Sequence, residues 1–303
     1  MNVKELVKKE SRIVSGHRAC AGCGFPQIVR TILASTDKKV VVANSTGCLE
    51  VVSTIYPFSS WKVPYIHSAF ENAGSTISGI EACYKVLKKK KKITEDIKFL
   101  AIAGDGGGTD IGLQSLSGML ERGHDVVFVQ YDNNAYQNTG VQRSGATPYG
   151  AATSTTPVGL KHKGKEIFKK DIMKIVLAHN IPYAAQASLS DLEDLSEKAK
   201  KAFEIKGPCF INVLQPCTLG WKFNPSLTVD IAKRAVDSCF WPLYEVENGK
   251  YKLNYKPGKK IPVLEYVKLQ GRYKHLLKEK EILNKLQRHV DNEWDKLVKL
   301  CEQ

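Results

Sequence analysis

Gly104-Asp105-Gly106-Gly107-Gly108 and Asp132-Asn133-Asn134, within the stretch from Ala103 to Pro148, decide the fold. An apolar run, Ile97 to Ala103, leads into the glycines and their carboxylate. A helical pattern follows over Ile111 to Arg122, stopped by Gly123, and a second apolar run covers Val126 to Tyr131. Glycines let a diphosphate come close to the backbone, and a helix start offers free N–H groups and a positive dipole end. Asp105 and Asn133 add hard oxygen donors, which suit Mg²⁺ held between protein and phosphate.

Working outward, helices and strands alternate. Phe25 to Ser35 reads as a helix with Pro26 in its first turn, and Lys39 to Ala43 as a buried strand. Glu71 to Leu87 places Ile77, Ile80, Tyr84 and Leu87 on one helical face. Lys170 to His179 and Ser190 to Phe203 are further helices, the second opened by a Ser190/Glu193 capping box, and Pro208 to Leu214 is another strand. The expected fold is α/β, a parallel sheet with helices on both faces and its site at the strands' C-terminal ends. Asn134 to Leu160 has no period, and a loop of that length in a compact domain is usually functional. Residues 1–222 are expected to form the binding domain. Residues 223–303, broken by Pro225, Pro242, Pro257 and Pro262, form a C-terminal helical extension that packs on the domain or on a partner subunit. Its last helix carries Leu283, Leu286, Val290, Leu297 and Leu300 at helical spacing.

Composition narrows the class. The 303 residues are 43% hydrophobic and 25% charged, an ordinary globular balance. The net charge of +14 owes much to lysines, including the run Lys88 to Lys92. With no aromatic-interleaved basic motif and no helix-turn-helix pattern, that run reads as a solvated helix end, and no nucleic-acid partner is expected. No apolar run is long enough for a membrane span, and the first ten residues lack a signal-peptide core, so a cytoplasmic location is expected.

Eight cysteines in such a chain argue against structural disulfides. Cys20 and Cys23 form a C-x₂-C pair. Cys48 and Cys217 each follow a strand, at the sheet end that carries Gly104. Three readings of these four stay open: a zinc site, a redox pair with two bystanders, or a [4Fe–4S] cluster, which tolerates one pair and two distant singles. Cys83, Cys209, Cys239 and Cys301 read as small hydrophobic fillers. A basic, zinc-bearing nucleic-acid binder is the remote alternative, and it leaves the pairing of Gly-Asp-Gly with Asp-Asn-Asn unexplained.

The Gly-Asp-Gly turn with its distant Asn resembles a thiamine diphosphate motif. Taken in order, Cys20-Ala21-Gly22-Cys23-Gly24, Thr46-Gly47-Cys48, Gly104-Asp105-Gly106-Gly107, the run from Tyr131 to Pro148, and Pro216-Cys217 resemble the beta subunits of pyruvate:ferredoxin oxidoreductases (pyruvate synthases). These belong to the 2-oxoacid:ferredoxin oxidoreductase family, and the resemblance covers roughly residues 15–225. It implies the diphosphate half of a thiamine diphosphate site. Asp105, Asn133 and the Ala135 carbonyl would bind Mg²⁺, and Gly104, Gly106 and Thr139 would face the diphosphate. Asn138 would lie near the reacting carbon, and Cys20, Cys23, Cys48 and Cys217 would hold one [4Fe–4S] cluster.

The implied activity is reversible oxidative decarboxylation of pyruvate to acetyl-CoA and CO₂, with ferredoxin as electron acceptor. Another 2-oxoacid is the alternative substrate: a branched-chain one, 2-oxoglutarate or oxalate. Alpha, gamma and delta type subunits, ferredoxin, pyruvate and coenzyme A are the implied partners. The Glu that activates the coenzyme is expected on a partner chain, although Glu50 and Glu71 are local candidates. The chain alone is therefore expected to be inactive. His67 is a candidate for the pocket wall, and Arg143 for an anion contact.

Overall fold

In a computed structural model, which describes residues 3–302, the apolar runs join into one eight-stranded sheet. A single turn, α1 (Val3–Leu6), precedes α2 (Phe25–Ala34). β1 (Lys39–Ser45) leads to α3 (Cys48–Ser53), and β2 (Tyr65–Ser68) to α4 (Ala73–Lys89). β3 (Ile97–Gly104) enters a π-helical turn, Gly106–Asp110, before α5 (Leu113–Glu121) and β4 (Val127–Asp132). After a long loop come α6 (Ile172–Leu177), β5 (Tyr183–Ser188), α7 (Leu192–Glu204) and β6 (Cys209–Leu214). The rest holds α8 (Thr218–Trp221), α9 (Thr228–Asp237), β7 (Tyr244–Glu247) and β8 (Lys250–Leu253). It closes with α10 (Val263–Val267), a 3-10 segment (Gly271–Lys278) and α11 (Lys280–Cys301).

The strand order is β2-β1-β3-β4-β6-β5-β7-β8. The first six strands pair in parallel, and the β7–β8 hairpin adds antiparallel to β5. Side chains alternate across the central strands, as the pleat requires. Leu100, Ile102, Val127, Val129, Ile211 and Val213 face a core closed by α2 and α7. Phe99, Ala101, Ala103, Phe128 and Phe210 face the opposite core, under α4, α5, α6 and α11. Burial on both faces explains why these strands read as unbroken apolar runs.

Several elements differ from the sequence reading, each for a local reason. Regular helix begins only at Leu113, because the three glycines take the wider π turn. A Cβ at Gly106 would sit 2.3 Å from the Tyr136 ring. The cap of α7 is Asp191, whose Oδ1 accepts the Asp194 N–H at 2.9 Å, while Ser190 pairs with Ser188. β5, Tyr-Ala-Ala-Gln-Ala-Ser, has no β-branched residue to announce it and is a strand because β6 and β7 flank it. Cys83 is exposed on α4, so it is not a filler, whereas Cys209 and Cys239 are buried.

The tail supplies strands as well as helices. The β7–β8 turn uses Asn248 and Gly249 at φ 49° and 79°, the backbone that favours Asn-Gly in hairpins. Glu245 of β7 accepts hydrogen bonds from Lys201 Nζ (2.9 Å) and Tyr183 Oη (2.8 Å) and pairs with Lys252 (3.2 Å). Burial raises its pKa, but these donors outweigh burial and hold it down at about 2. A lowered carboxylate pKa stabilises the fold above the ordinary value of 4.5, and that stability is lost as pH falls toward 2. Glu245→Gln is expected to cost about 2 kcal/mol at pH 7, the scale of hydrogen bonds to a charged group. In denaturant titrations the gap to the parent protein should close as pH falls to the lower pKa; a gap independent of pH would refute the assignment. Among the described residues, no helix is long and apolar enough to cross a membrane.

Candidate active site

β1, β3, β4 and β6 run parallel and end at one edge of the sheet. Cys48, the Gly104–Gly106 turn, Asn133 and Cys217 follow those four strand ends. The first three of these border a hollow of about 40 Å³, which Cys217 does not line. Gly104, Asp105, Gly106, Asn133, Ala135, Asn138 and Thr139 all line it, together with Thr46, Gly47, Cys48, Phe70, Tyr131, Tyr136 and Gln137. Asn138 and Thr139 are exposed, whereas Asp105, Asn133 and Ala135 are buried. Drug-sized ligands usually occupy about 300 to 1,000 Å³, so this hollow can hold only one end of a coenzyme.

Asp105 is 1% exposed and accepts from Ser144 Oγ at 2.5 Å and the Asn133 N–H at 3.3 Å. Burial drives its carboxyl well above the usual range, and the nearby Asp132 carboxylate adds to the shift. The Asn133 side-chain amide reaches to 2.9 Å from Asp105 Oδ1 and 2.8 Å from the Ala135 carbonyl oxygen. The Asn133 backbone N–H donates to the same Asp105 oxygen. Without a cation, the amide satisfies both neighbours by turning its NH₂ toward them. With a cation among them, three hard oxygens become ligands, the donor chemistry that Mg²⁺ takes. The residues present therefore fit the ion.

Neighbouring groups that the sequence did not single out hold this turn in place. Trp221 Nε1 and Gln137 Nε2 both donate to the Asn133 carbonyl, at 2.8 and 2.7 Å. Asn134, at φ 64°, is tied to Asp132 Oδ1 (2.6 Å) and to Arg272 (3.1 Å). The Arg272 guanidinium lies 3.8 Å from the centre of the Trp221 ring. Trp221 and Arg272 lie far from the turn in sequence and carry no local pattern that marks them. In the loop, buried Lys165 donates to the Thr147 and Gly145 carbonyls at 2.5 and 3.2 Å, and burial lowers its pKa to about 8.

All eight cysteines are free. Burial raises the Cys23 and Cys48 thiols to about 12, and both also feel Cys217 and Cys20. Cys217 is raised as well, chiefly by burial. The four thiols therefore lie within electrostatic reach of one another. Among the described residues, however, no group of three or more His, Cys, Asp or Glu side chains is drawn into a ready-made metal site. Two sulfurs already accept N–H donors: Cys217 from Gly220 (3.3 Å) and Cys23 from the Gln215 amide (3.8 Å). Donors of this kind also suit metal-bound thiolates, whose loading expels the thiol protons.

Other candidates fall outside the hollow. His67 is on edge strand β2, with Nε2 2.8 Å from Thr46 Oγ1 and 3.8 Å from Glu50. Glu50 also accepts from Thr54 Oγ1 at 3.0 Å, Glu71 does not line the hollow, and Arg143 is exposed. A larger cavity of about 360 Å³ lies between α11 and the β5–β7 edge, and it contains none of the candidate site residues, although Leu286, Val290, Leu297 and Leu300 of α11 line it.

Residues 45–213 match the family model described as thiamine pyrophosphate enzyme, C-terminal TPP binding domain. The chain is 51% identical to pyruvate synthase subunit PorB of Thermotoga maritima, over 100% of this chain and 97% of that one. It is 50% identical to the PorB subunit of Methanocaldococcus jannaschii, over 93% and 95%. This chain belongs to the 2-oxoacid:ferredoxin oxidoreductase family. The ketoisovalerate oxidoreductase subunit VorB of Pyrococcus furiosus is 45% identical, over 100% of this chain and 99% of that one. A 2-oxoglutarate:ferredoxin oxidoreductase structure from Magnetococcus marinus shares the fold, with a TM-score of 0.57 at 20% identity over 77% of this chain and 82% of that one.

As a beta-type subunit of a thiamine diphosphate-dependent 2-oxoacid oxidoreductase, the chain has the residues of this hollow within the matched stretch. Of the four thiols, Cys48 lies inside that stretch, and Cys20, Cys23 and Cys217 lie outside it.

Proposed function

We propose that this subunit carries the diphosphate half of the site at which pyruvate is oxidatively decarboxylated to acetyl-CoA and CO₂, with ferredoxin as electron acceptor. The observation that carries the reading is the meeting of the Asp105 carboxylate, the Asn133 side-chain amide and the Ala135 carbonyl at the hollow beside the Gly104–Gly106 turn. When bound, thiamine diphosphate supplies the electron sink for loss of CO₂, and a neighbouring [4Fe–4S] cluster takes electrons one at a time.

The chain's own residues divide the remaining work. Asp105, Asn133 and the Ala135 carbonyl hold Mg²⁺, and Gly104, Gly106 and Thr139 leave room for the diphosphate. Exposed Asn138 orients the substrate at the mouth. Cys20, Cys23, Cys48 and Cys217 hold the cluster. The small hollow leaves most of the coenzyme to alpha, gamma or delta type partners in a cytoplasmic complex. Val51, Ile111 and Leu219, exposed at 44, 55 and 69%, offer apolar contacts beside the site.

A branched-chain 2-oxoacid is the second reading, supported by the 45% identity to VorB. Anaerobic purification with co-purifying subunits, followed by viologen reduction with coenzyme A and a panel of 2-oxoacids, separates the two. Preference for pyruvate is expected. Preference for a branched-chain 2-oxoacid would keep the chemistry and change the substrate. The isolated chain is expected to give no turnover with any of them, and robust activity without partners would place the activating Glu on this chain.

A further inference from the structure

Lys165 is a buried cation, 2% exposed, that forms no ion pair among the described residues. Its ammonium donates instead to three backbone carbonyls: Thr147 at 2.5 Å, Gly145 at 3.2 Å and Ser144 at 3.4 Å. Lysines are almost never fully buried unless paired. Three N–H donors meeting three carbonyls use the ammonium in full. A neutral amine has two N–H bonds and a lone pair, which would face the third carbonyl.

The fold delivers Lys165 to that spot. Its N–H donates to the Ala151 carbonyl at 3.1 Å, and its own carbonyl accepts the Gly150 N–H at 2.7 Å. Gly164, at φ 84°, lets the chain pass this close, since a Cβ there would sit 2.6 Å from the Gly150 oxygen. The Ser144–Thr147 turn that the ammonium gathers reaches both sides of the candidate site. Ser144 Oγ donates to Asp105 Oδ2 at 2.5 Å, and Thr147 Oγ1 donates to the Asn134 carbonyl at 2.6 Å. Thr147 Oγ1 also accepts the Ser144 N–H at 2.9 Å, which closes the turn on itself.

Other charges stand around the ammonium. Arg143 and Lys169 repel it, while Asp110 and Asp132 attract it. Asp110 is already held by Lys170 at 2.7 Å and by the Gly145 N–H at 2.6 Å. Asp132 is held by Asn134, which also bonds Arg272. Asp105 lies beyond Ser144, and His275 sits on the Lys163 carbonyl at 3.1 Å. Burial is the largest influence and lowers the Lys165 pKa from 10.5 to about 8. The charge is therefore present at pH 7 and lost as pH rises through about 8.

We propose that the Lys165 ammonium is a positioning group: by gathering the Ser144–Thr147 turn it aims the Asp105 carboxylate at the ion of the diphosphate site, so that coenzyme binding depends on the proton it carries. The inference rests on the assignment of Asp105 to Mg²⁺ made above. By linkage, a coenzyme that binds only the protonated form binds about tenfold more weakly for each pH unit above the lysine's pKa, and it takes up a proton as it binds.

The test uses the whole complex, titrated calorimetrically with thiamine diphosphate at saturating Mg²⁺ from pH 7 to pH 9. Affinity of the parent is expected to fall about tenfold across that range. At pH 9, buffers of different ionisation enthalpy should reveal uptake of most of one proton. Lys165→Met keeps an unbranched stem and removes the charge. It should bind about tenfold more weakly at pH 7, the scale of an outer-shell partner, with no further loss toward pH 9 and without that uptake. Parental affinity in Lys165→Met overturns the proposal. Weaker binding with the parent's pH profile and proton uptake also overturns it, because Lys165 would then be merely structural. If Lys165→Met does not assemble, Lys165→Arg decides, since its charge does not titrate in this range: a fall equal to the parent's refutes the proposal. A parent whose affinity ignores pH refutes it without any variant. Asp105→Ala in the same assay separates the two assignments. Parental coenzyme binding by that variant would remove Asp105 from the ion, whereas loss in Asp105→Ala with none in Lys165→Met removes Lys165 alone.

Discussion

Asp105→Ala is expected to abolish Mg²⁺-dependent binding of thiamine diphosphate, and with it turnover. Asp105 supplies the only carboxylate among the three groups that meet there, beside the Asn133 amide and the Ala135 carbonyl. It is 1% exposed and oriented by Ser144 Oγ and the Asn133 N–H, so it arrives at the ion already positioned. Even outer-shell partners of a bound metal are worth about 10- to 100-fold in affinity, so losing a charged ligand should cost at least about 100-fold. Calorimetric titration of the complex with the coenzyme, with and without Mg²⁺, measures this. A variant that binds with parental affinity would remove Asp105 from the ion. The substitution should leave the fold intact, because it deletes a buried charge whose neighbour Asp132 opposes its ionisation.

Cys217→Ser is expected to lose most of the iron and sulfide of one cluster and nearly all viologen reduction, whereas Cys301→Ser should match the parent. Both residues are partly buried, so exposure alone does not separate them. Their surroundings do. Cys217 accepts the Gly220 N–H and is felt by the Cys23 and Cys48 thiols at the strands' C-terminal edge. Cys301 ends α11, packed at the margin of the opposite core. Iron and sulfide analysis of the two variants is decisive, and equal content in both would refute the choice of thiols.

Much of the site was legible because its chemistry depends on residue type at short range. Glycines beside a carboxylate, an Asp-Asn-Asn turn and a C-x₂-C pair each constrain their surroundings without reference to distant sequence. The buried strands were legible for a similar reason: burial on both faces leaves no polar position in runs such as Phe99 to Ala103. β5 was not legible, because Ala, Gln and Ser become strand residues only once β6 and β7 pair with them. The Asn248-Gly249 turn was a local signal that could have revealed the tail hairpin.

The sequence by itself determined the α/β class, the oxygen and thiol donors, and the strand ends on which they stand. Only the tertiary structure decided how those donors meet. It brought the Asn133 amide against the Asp105 carboxylate and the Ala135 carbonyl, and it braced their turn with Trp221 and Arg272 from the far end of the chain. It also left the Tyr131 hydroxyl unpaired beside Gly47. The physical reason is that donor identity belongs to single residues, whereas distance, burial and an unmet hydrogen bond belong to pairs of residues that only folding brings together.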